Sequence, residues 1–275
     1  MKPAPFSYAR AESIEEALAV LHEHGSDARI LAGGQSLLPM LNMRLAKPAM
    51  LVDIMRVRAL ASVAEENGAL VIPAAVRQAA ILDRPNLRDE LPLLAMALPW
   101  VGHYQTRARG TVCGSVAHAD PSAEIPLCLV ALVGHIRLRT KRKRRSVSAE
   151  AFFAGMMLTD KADDEMIEAV VFPKRRADTG YSFAEVGRRH GDFAMVACAA
   201  VVDATRMRLA VGGVADRPVA RDFPTLDGSA LDDALNEFAW DLGAGDDVHA
   251  TARYRRDLVR KLGRTVLQEA ASCRN

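Results

Sequence analysis

Aromatic residues are scarce: Phe, Trp and Tyr together make up 5% of the 275 residues, so a core must be built from Ala, Val, Leu, Ile and Met. The four cysteines, Cys113, Cys128, Cys198 and Cys273, contain no CxxC pair. That excludes zinc-ribbon and iron–sulfur spacings, and scattered thiols suit a reducing cytoplasm better than a disulfide scaffold. No apolar run approaches the roughly 20 residues of a membrane span. The opening MKPAPFSYARAESIEEAL lacks the apolar stretch of a secretion signal. Neither GxGxxG nor GxxxxGK[ST] occurs, which disfavours a Rossmann site and a P-loop. A soluble intracellular protein is the expectation.

Hydrophobic residues make up 50% and charged residues 25%, an ordinary globular balance, and 275 residues suggest two domains or one large one. The net charge is +2, but seven of the 36 basic residues crowd into positions 137–145, leaving 29 against 34 acidic elsewhere. The chain is not broadly basic, and no general nucleic-acid binder is expected. The basic run itself reads as a solvated hairpin, because like charges repel and stay exposed.

Ser13, with Glu16 three residues later, opens a capping box for a helix over 13–24 that Gly25 ends. Ile14, Ala17, Leu18 and Leu21 give it one apolar face. Strands are expected over 28–32, 50–54, 69–73 and 166–172, helices over 77–82, 91–100 and 123–132, and a basic strand–turn–strand over 134–148. The run Pro173, Lys174, Arg175, Arg176 marks a boundary. Beyond it three strands (181–186, 193–203, 207–211) precede two helices (227–242, 247–271), an α+β arrangement.

Two glycine-containing segments can carry chemistry. Ala32, Gly33, Gly34, Gln35, Ser36 and Leu37 follow a strand directly. Adjacent glycines let a backbone approach a ligand, and successive N–H groups form an anion-binding concavity, although a tight surface turn explains the same residues as well. The second is Gly110, Thr111, Val112, Cys113, Gly114 and Ser115, followed by His118, Asp120 and Glu124. His118 and Asp120 could form a catalytic pair, read a ribose or adenine edge, or simply cap the next helix. Two Gly-Ser loops in one chain favour a dinucleotide.

These residues carry a resemblance. LAGGQSLLPMLNMRLAKPAMLVDI (31–54), QTRARGTVCGSVAHADPSAEIPLCLVAL (105–132) and GYSFAEVGRRHGDFAMVACAAVV (180–202) resemble, in order and spacing, the two FAD loops and the C-terminal domain start of molybdenum hydroxylase flavoprotein subunits. That family includes carbon monoxide dehydrogenase, nicotine dehydrogenase and the FAD segment of xanthine dehydrogenase. The resemblance implies an α+β fold: a two-subdomain FAD-binding domain over 1–175 (about 1–58 and 59–175), then a small C-terminal domain over 176–275 with a three-stranded antiparallel sheet. It also implies FAD as the cofactor here. Molybdenum cofactor and two [2Fe–2S] clusters would belong to a large and a small partner subunit, in a heterotrimer or a dimer of heterotrimers.

Carried over by position, the resemblance implies that Ala32, Gly33, Gly34, Gln35, Ser36 and Leu37 wrap the FAD pyrophosphate. Thr111, Gly114 and Ser115 would form the second wall. His118, Asp120 and Glu124 would lie toward ribose and adenine, Val101 and Gly102 would line the pocket, and Ile167 would lie near the flavin or adenine. No catalytic residue and no metal ligand is implied. The chain departs from the family at Cys113, where Gly is usual, at Ala108, where Asn is usual, and at Glu185, where Lys is common. Cys113 is expected to crowd its loop, and Glu185 to remove a positive charge near the flavin. Two other readings stand beside the electron-transfer subunit: a stand-alone flavoprotein oxidase, and a flavin-free assembly module suggested by Cys113 and Ala108.

Overall fold

The computed structural model describes residues 2–274. The chain begins with β1 (Ser7–Arg10), α1 (Ile14–His24), β2 (Ala28–Leu31), α2 (Leu37–Asn42) and β3 (Met50–Asp53). In α1 the Ser13 hydroxyl accepts from the Glu16 N–H at 3.1 Å, and the Glu16 carboxylate accepts from the Glu12 N–H at 2.8 Å. Ile14, Ala17, Leu18 and Leu21 are the buried stripe, and Gly25 closes the helix at a positive φ of 50°. The three strands form a parallel sheet in the order β1-β3-β2. Strand β1, SYAR, was not visible in the apolar pattern. Its side chains are mostly exposed, and backbone pairing with β3 holds it.

The next stretch runs β4 (Ala64–Glu66), β5 (Ala69–Pro73), α3 (Gln78–Leu82), α4 (Leu87–Glu90), α5 (Pro92–Ala97), α6 (Tyr104–Arg109), α7 (Val112–His118) and α8 (Glu124–Ala131). It continues with β6 (His135–Arg139), β7 (Arg144–Ser148), α9 (Ala149–Phe152), β8 (Phe153–Gly155), β9 (Leu158–Thr159) and β10 (Met166–Pro173). Its main sheet is antiparallel, in the order β4-β5-β10-β6-β7. Helix α8 is buried along its whole length, Glu124 included, which explains its unbroken apolar run. The basic run forms the β6–β7 hairpin. Arg137 pairs with Glu66, Arg139 with Glu15 and Glu168, Arg144 with Glu168, and Arg145 with Asp160 and Glu165, while Lys141, Arg142 and Lys143 stand exposed at the tip.

Beyond Pro173 the chain is tied down at once: the Arg175 N–H donates to the Glu90 carbonyl at 2.8 Å, and Lys174 meets Glu65 at 2.7 Å. It then forms β11 (Gly180–Val186), β12 (Val196–Val202), β13 (Arg206–Gly212), β14 (Val219–Pro224), α10 (Gly228–Asp241) and α11 (Ala252–Ser272). The antiparallel sheet therefore has four strands, in the order β11-β12-β13-β14, where three were expected. Strand β14, VARDFP, escapes a pattern search because only Phe223 is buried in it, and β13 supplies its register.

Strand β12, VACAAVV, is buried on both faces, so it reads as continuous apolar sequence without alternation. Val196, Cys198, Ala200 and Val202 pack with α10 and α11, while Ala197, Ala199 and Val201 join the core shared with α5 and α8. The C-terminal sheet is thus a wall between its own helices and the N-terminal part of the chain. On β11, Tyr181 and Phe183 point into that shared core. The two-residue period puts Glu185 on the same face.

Candidate cofactor site

The two glycine loops meet. A Cβ on Gly33 would stand 2.3 Å from the Arg109 carbonyl oxygen and 2.6 Å from the Gly110 Cα, so only glycine lets these two backbones lie against each other. Gly34 follows at φ +72°, and the Gln35 side-chain amide donates to the Gly33 carbonyl at 3.1 Å. Leu37 then starts α2, with Ser36 before it. Ala32, Gly33, Gly34, Ser36 and Leu37 are half-buried and Gln35 is exposed. The bland alternative, an isolated surface turn, does not hold.

The second loop is largely helical. Thr111 caps α7: its Oγ1 accepts from the Gly114 N–H at 2.9 Å, leaving Gly114 and Ser115 half-buried on the first turn. The segment is anchored from below, where the Gln78 N–H donates to the Gly110 carbonyl at 2.8 Å and the Val112 N–H to the Val76 carbonyl at 3.2 Å. Cys113 does not crowd the loop. Its side chain points into the core, where the thiol lies 3.3 Å from the Ile72 carbonyl, and burial pushes it up to about 12. The expected steric conflict is absent because a helix sends consecutive side chains in different directions, and position 113 is an inward one.

His118 ends α7 and Ala119 turns the chain at φ +53°. The Asp120 carboxylate accepts from the Ser122 N–H at 2.8 Å, a turn contact; it does not cap the next helix, whose N-cap is Ala123. No contact joins His118 to Asp120, so nothing assembles a catalytic pair from them. Glu124 opens α8 and is buried. Burial, aided by the Asp120 charge and opposed by Arg107, pushes its carboxyl up to about 7. Glu185 is also buried, and burial together with the Glu124 charge pushes it up to about 8. Its Oε2 has no hydrogen-bond partner, and neither does the buried Oε1 of Gln78 beneath the second loop.

Val101 is buried and Gly102, at φ +50°, is half-buried, in the turn before α6. The Trp100 ring lies 4.7 Å from the His190 ring at an interplanar angle of 34°. The sequence pattern did not foresee this link, because no periodicity connects residues so distant. Ile167 is in the core at the β10 bulge, paired with Leu138, on the strand that packs against α7.

Among the described residues no group of His, Cys, Asp and Glu could hold a metal ion. No helix there is long and apolar enough to cross a membrane. The two loops meet as backbone against backbone.

Comparison with known proteins places this geometry. Residues 4–175 match the FAD binding domain in molybdopterin dehydrogenase, and residues 181–270 match the CO dehydrogenase flavoprotein C-terminal domain. The nicotine 6-hydroxylase medium subunit of Paenarthrobacter nicotinovorans is 36% identical, over 99% of both chains. The 6-hydroxypseudooxynicotine dehydrogenase complex subunit alpha of the same organism is 34% identical, over 98% of this chain and 96% of its own. A solved carbon monoxide dehydrogenase from Hydrogenophaga pseudoflava superimposes with a TM-score of 0.93 at 31% identity, over 99% of each chain. The chain belongs to the FAD-binding medium subunits of the molybdenum hydroxylases.

Proposed function

We propose that this chain is the FAD-carrying electron-transfer subunit of a heterotrimeric molybdenum hydroxylase. It takes electrons from the [2Fe–2S] clusters of a small partner subunit and passes them to an external acceptor. Substrate oxidation would take place at the molybdenum cofactor of a large partner subunit. The observation that carries this reading is the contact of Gly33 with Arg109 and Gly110, which makes one cradle out of two separate loops. The residues present fit FAD. The cradle is backbone-lined, and the buried Gln78 Oε1 beside Gly110 lacks a hydrogen-bond partner.

In this reading Ala32, Gly33, Gly34, Gln35, Ser36 and Leu37 hold one side of the pyrophosphate, and Thr111, Gly114 and Ser115 the other. His118, Asp120 and Glu124 lie toward the ribose and adenine. Val101 and Gly102 line the cofactor pocket, and Ile167 lies near the flavin or adenine. Bound FAD supplies the redox chemistry; the protein orients it and sets its electrostatics. The division of the chain into 1–175 and 176–275, and a cytoplasmic location, belong to the same proposal. Three buried free cysteines and an exposed fourth support a reducing compartment.

The test has two steps. Acid precipitation of the purified chain should release FAD, not FMN, into the supernatant. In stopped-flow, the organic substrate of the assembled enzyme should bleach the flavin only when both partner subunits are present with intact clusters. Bleaching in the isolated chain at the complex's rate would instead reveal a stand-alone oxidase. A colourless purified chain that takes up no added FAD would reveal an assembly module.

A further inference from the structure

Arg107 lies on α6, the helix that leads into the second loop, and its charge is used in an unusual way. A single guanidinium nitrogen, Nη1, stands 2.9 Å from the Val101 carbonyl, 2.9 Å from the Gly102 carbonyl and 3.3 Å from the Pro99 carbonyl. Arg107 has no ion-pair partner among the described residues. Its compensation is a nest of three peptide dipoles, all from one turn. That turn bends sharply, since Gly102 sits at φ +50°.

The same turn is also met by the C-terminal domain. Gly191 lies so close that a Cβ there would come within 2.7 Å of the His103 ring and 2.8 Å of the Gly102 carbonyl oxygen. Beside it His190 stacks on Trp100. Residues 99–103 therefore form a leaf held by Arg107 and met by His190 and Gly191. Three of its carbonyls share one cation.

We infer that Arg107 is a positioning residue of the flavin pocket: by gathering the Pro99, Val101 and Gly102 carbonyls, it fixes the leaf on which the C-terminal domain's His190 turn closes. The inference rests on the reading of Val101 and Gly102 as the pocket lining given above. Arg107 itself need not touch the cofactor. Its loss would free the leaf, loosen the His190 turn and leave the flavin in a wider, wetter pocket. Three carbonyls around one nitrogen also match an ammonium group, which has three donors. A lysine that reaches the nest would restore it, whereas a methionine of similar length would not.

The test uses the full-length chain and the variants Arg107→Met, Arg107→Lys and His190→Ala, with FAD as the added ligand. Arg107→Met is expected to raise the Kd for FAD about tenfold, the scale of one lost charge-assisted hydrogen-bond set. It should also change the visible circular dichroism of the bound flavin. Arg107→Lys should recover most of both. His190→Ala, which leaves the interior of the FAD-type domain intact, should shift both readouts in the same direction as Arg107→Met. Combined with Arg107→Met it should add little, because both act on one leaf. Wild-type affinity and flavin dichroism in His190→Ala together with either Arg107 variant would overturn the inference, as would an Arg107→Lys protein no better than Arg107→Met. Failure of the wild-type chain to bind FAD would instead overturn the cofactor reading on which the inference stands.

Discussion

Glu185 on the C-terminal sheet faces Glu124 at the start of α8, and the Glu185 Oε2 is buried with no hydrogen-bond donor. Cys128, one turn along α8, lies under both carboxyls, and Asp120 and Arg107 act on Glu124 from the other side. Burial raises both acids, to about 7 for Glu124 and about 8 for Glu185, from an ordinary value of 4.5. The folded state thus holds protons that the unfolded state would release.

The sign of the pH dependence follows. The stability contributed by this seam is complete below about pH 4.5 and is lost as pH rises through about 8. Glu185→Gln keeps the shape and removes the charge. In the flavin-free chain its Tm should match wild type near pH 5 and exceed it at pH 9 by on the order of 5 °C. Coincident Tm–pH curves for the two proteins would show that the carboxyl is not the source.

Gly33→Ala should abolish FAD retention on gel filtration while far-UV circular dichroism stays native. The added Cβ meets backbone atoms of Arg109 and Gly110, which cannot swing aside as a side chain would. The two loops must separate, and the cradle opens. A yellow Gly33→Ala protein with wild-type flavin content would refute the cradle.

Thiol accessibility gives a further check. Cys113, Cys128 and Cys198 are buried and Cys273 is exposed. A thiol reagent should label one cysteine in the native chain and four after denaturation. Cys113→Gly should leave flavin content unchanged and lower stability by about 1–2 kcal/mol, from a lost buried side chain and a flexible residue in the first turn of a helix. Fast native labelling of Cys113 would place it on the loop surface after all.

Arg208 ties three elements together. It meets Asp222 on β14 at 3.0 Å, the Val130 carbonyl of α8 at 3.2 Å, and Glu150 of α9. The guanidinium is buried but both carboxylates are about half exposed, so deleting it strands no buried charge. Arg208→Ala should therefore cost about 2–3 kcal/mol in urea unfolding, below the 3–5 of a fully buried broken pair. Asp222→Asn, at the exposed end, should cost under about 1 kcal/mol.

Much of this architecture is legible in the residues. The α1 cap, its apolar stripe and Gly25 all act locally, so the sequence contains the whole cause of that helix. The basic run becomes the expected hairpin because its arginines find carboxylates that also lie at the surface. The features that could not be read depend on partners distant in the chain. Strand β1 exists because β3 runs beside it, β14 because β13 does, and the inward aim of Cys113 follows from a helix hidden in a glycine-rich, polar stretch. At the candidate site the residue types were visible, but Gly33 against Gly110 and Trp100 against His190 are facts of three-dimensional placement. Arg107 drew no attention, since nothing in an arginine on a short helix announces that three carbonyls will surround it.

Strand β12 has no wet face, and this bears on how the chain melts. Its Ala197, Ala199 and Val201 side chains join the core that α8 shares, while β11 packs on α5, so the C-terminal sheet is an inner wall of the other domain as well as of its own. A truncation near residue 175 would strip that wall away and leave α8 facing water. Two family domains can be drawn on the chain, but neither can lose its structure without uncovering the other. Heating should accordingly give one calorimetric transition, with equal van't Hoff and calorimetric enthalpies: two modules by descent, one cooperative unit in thermodynamics.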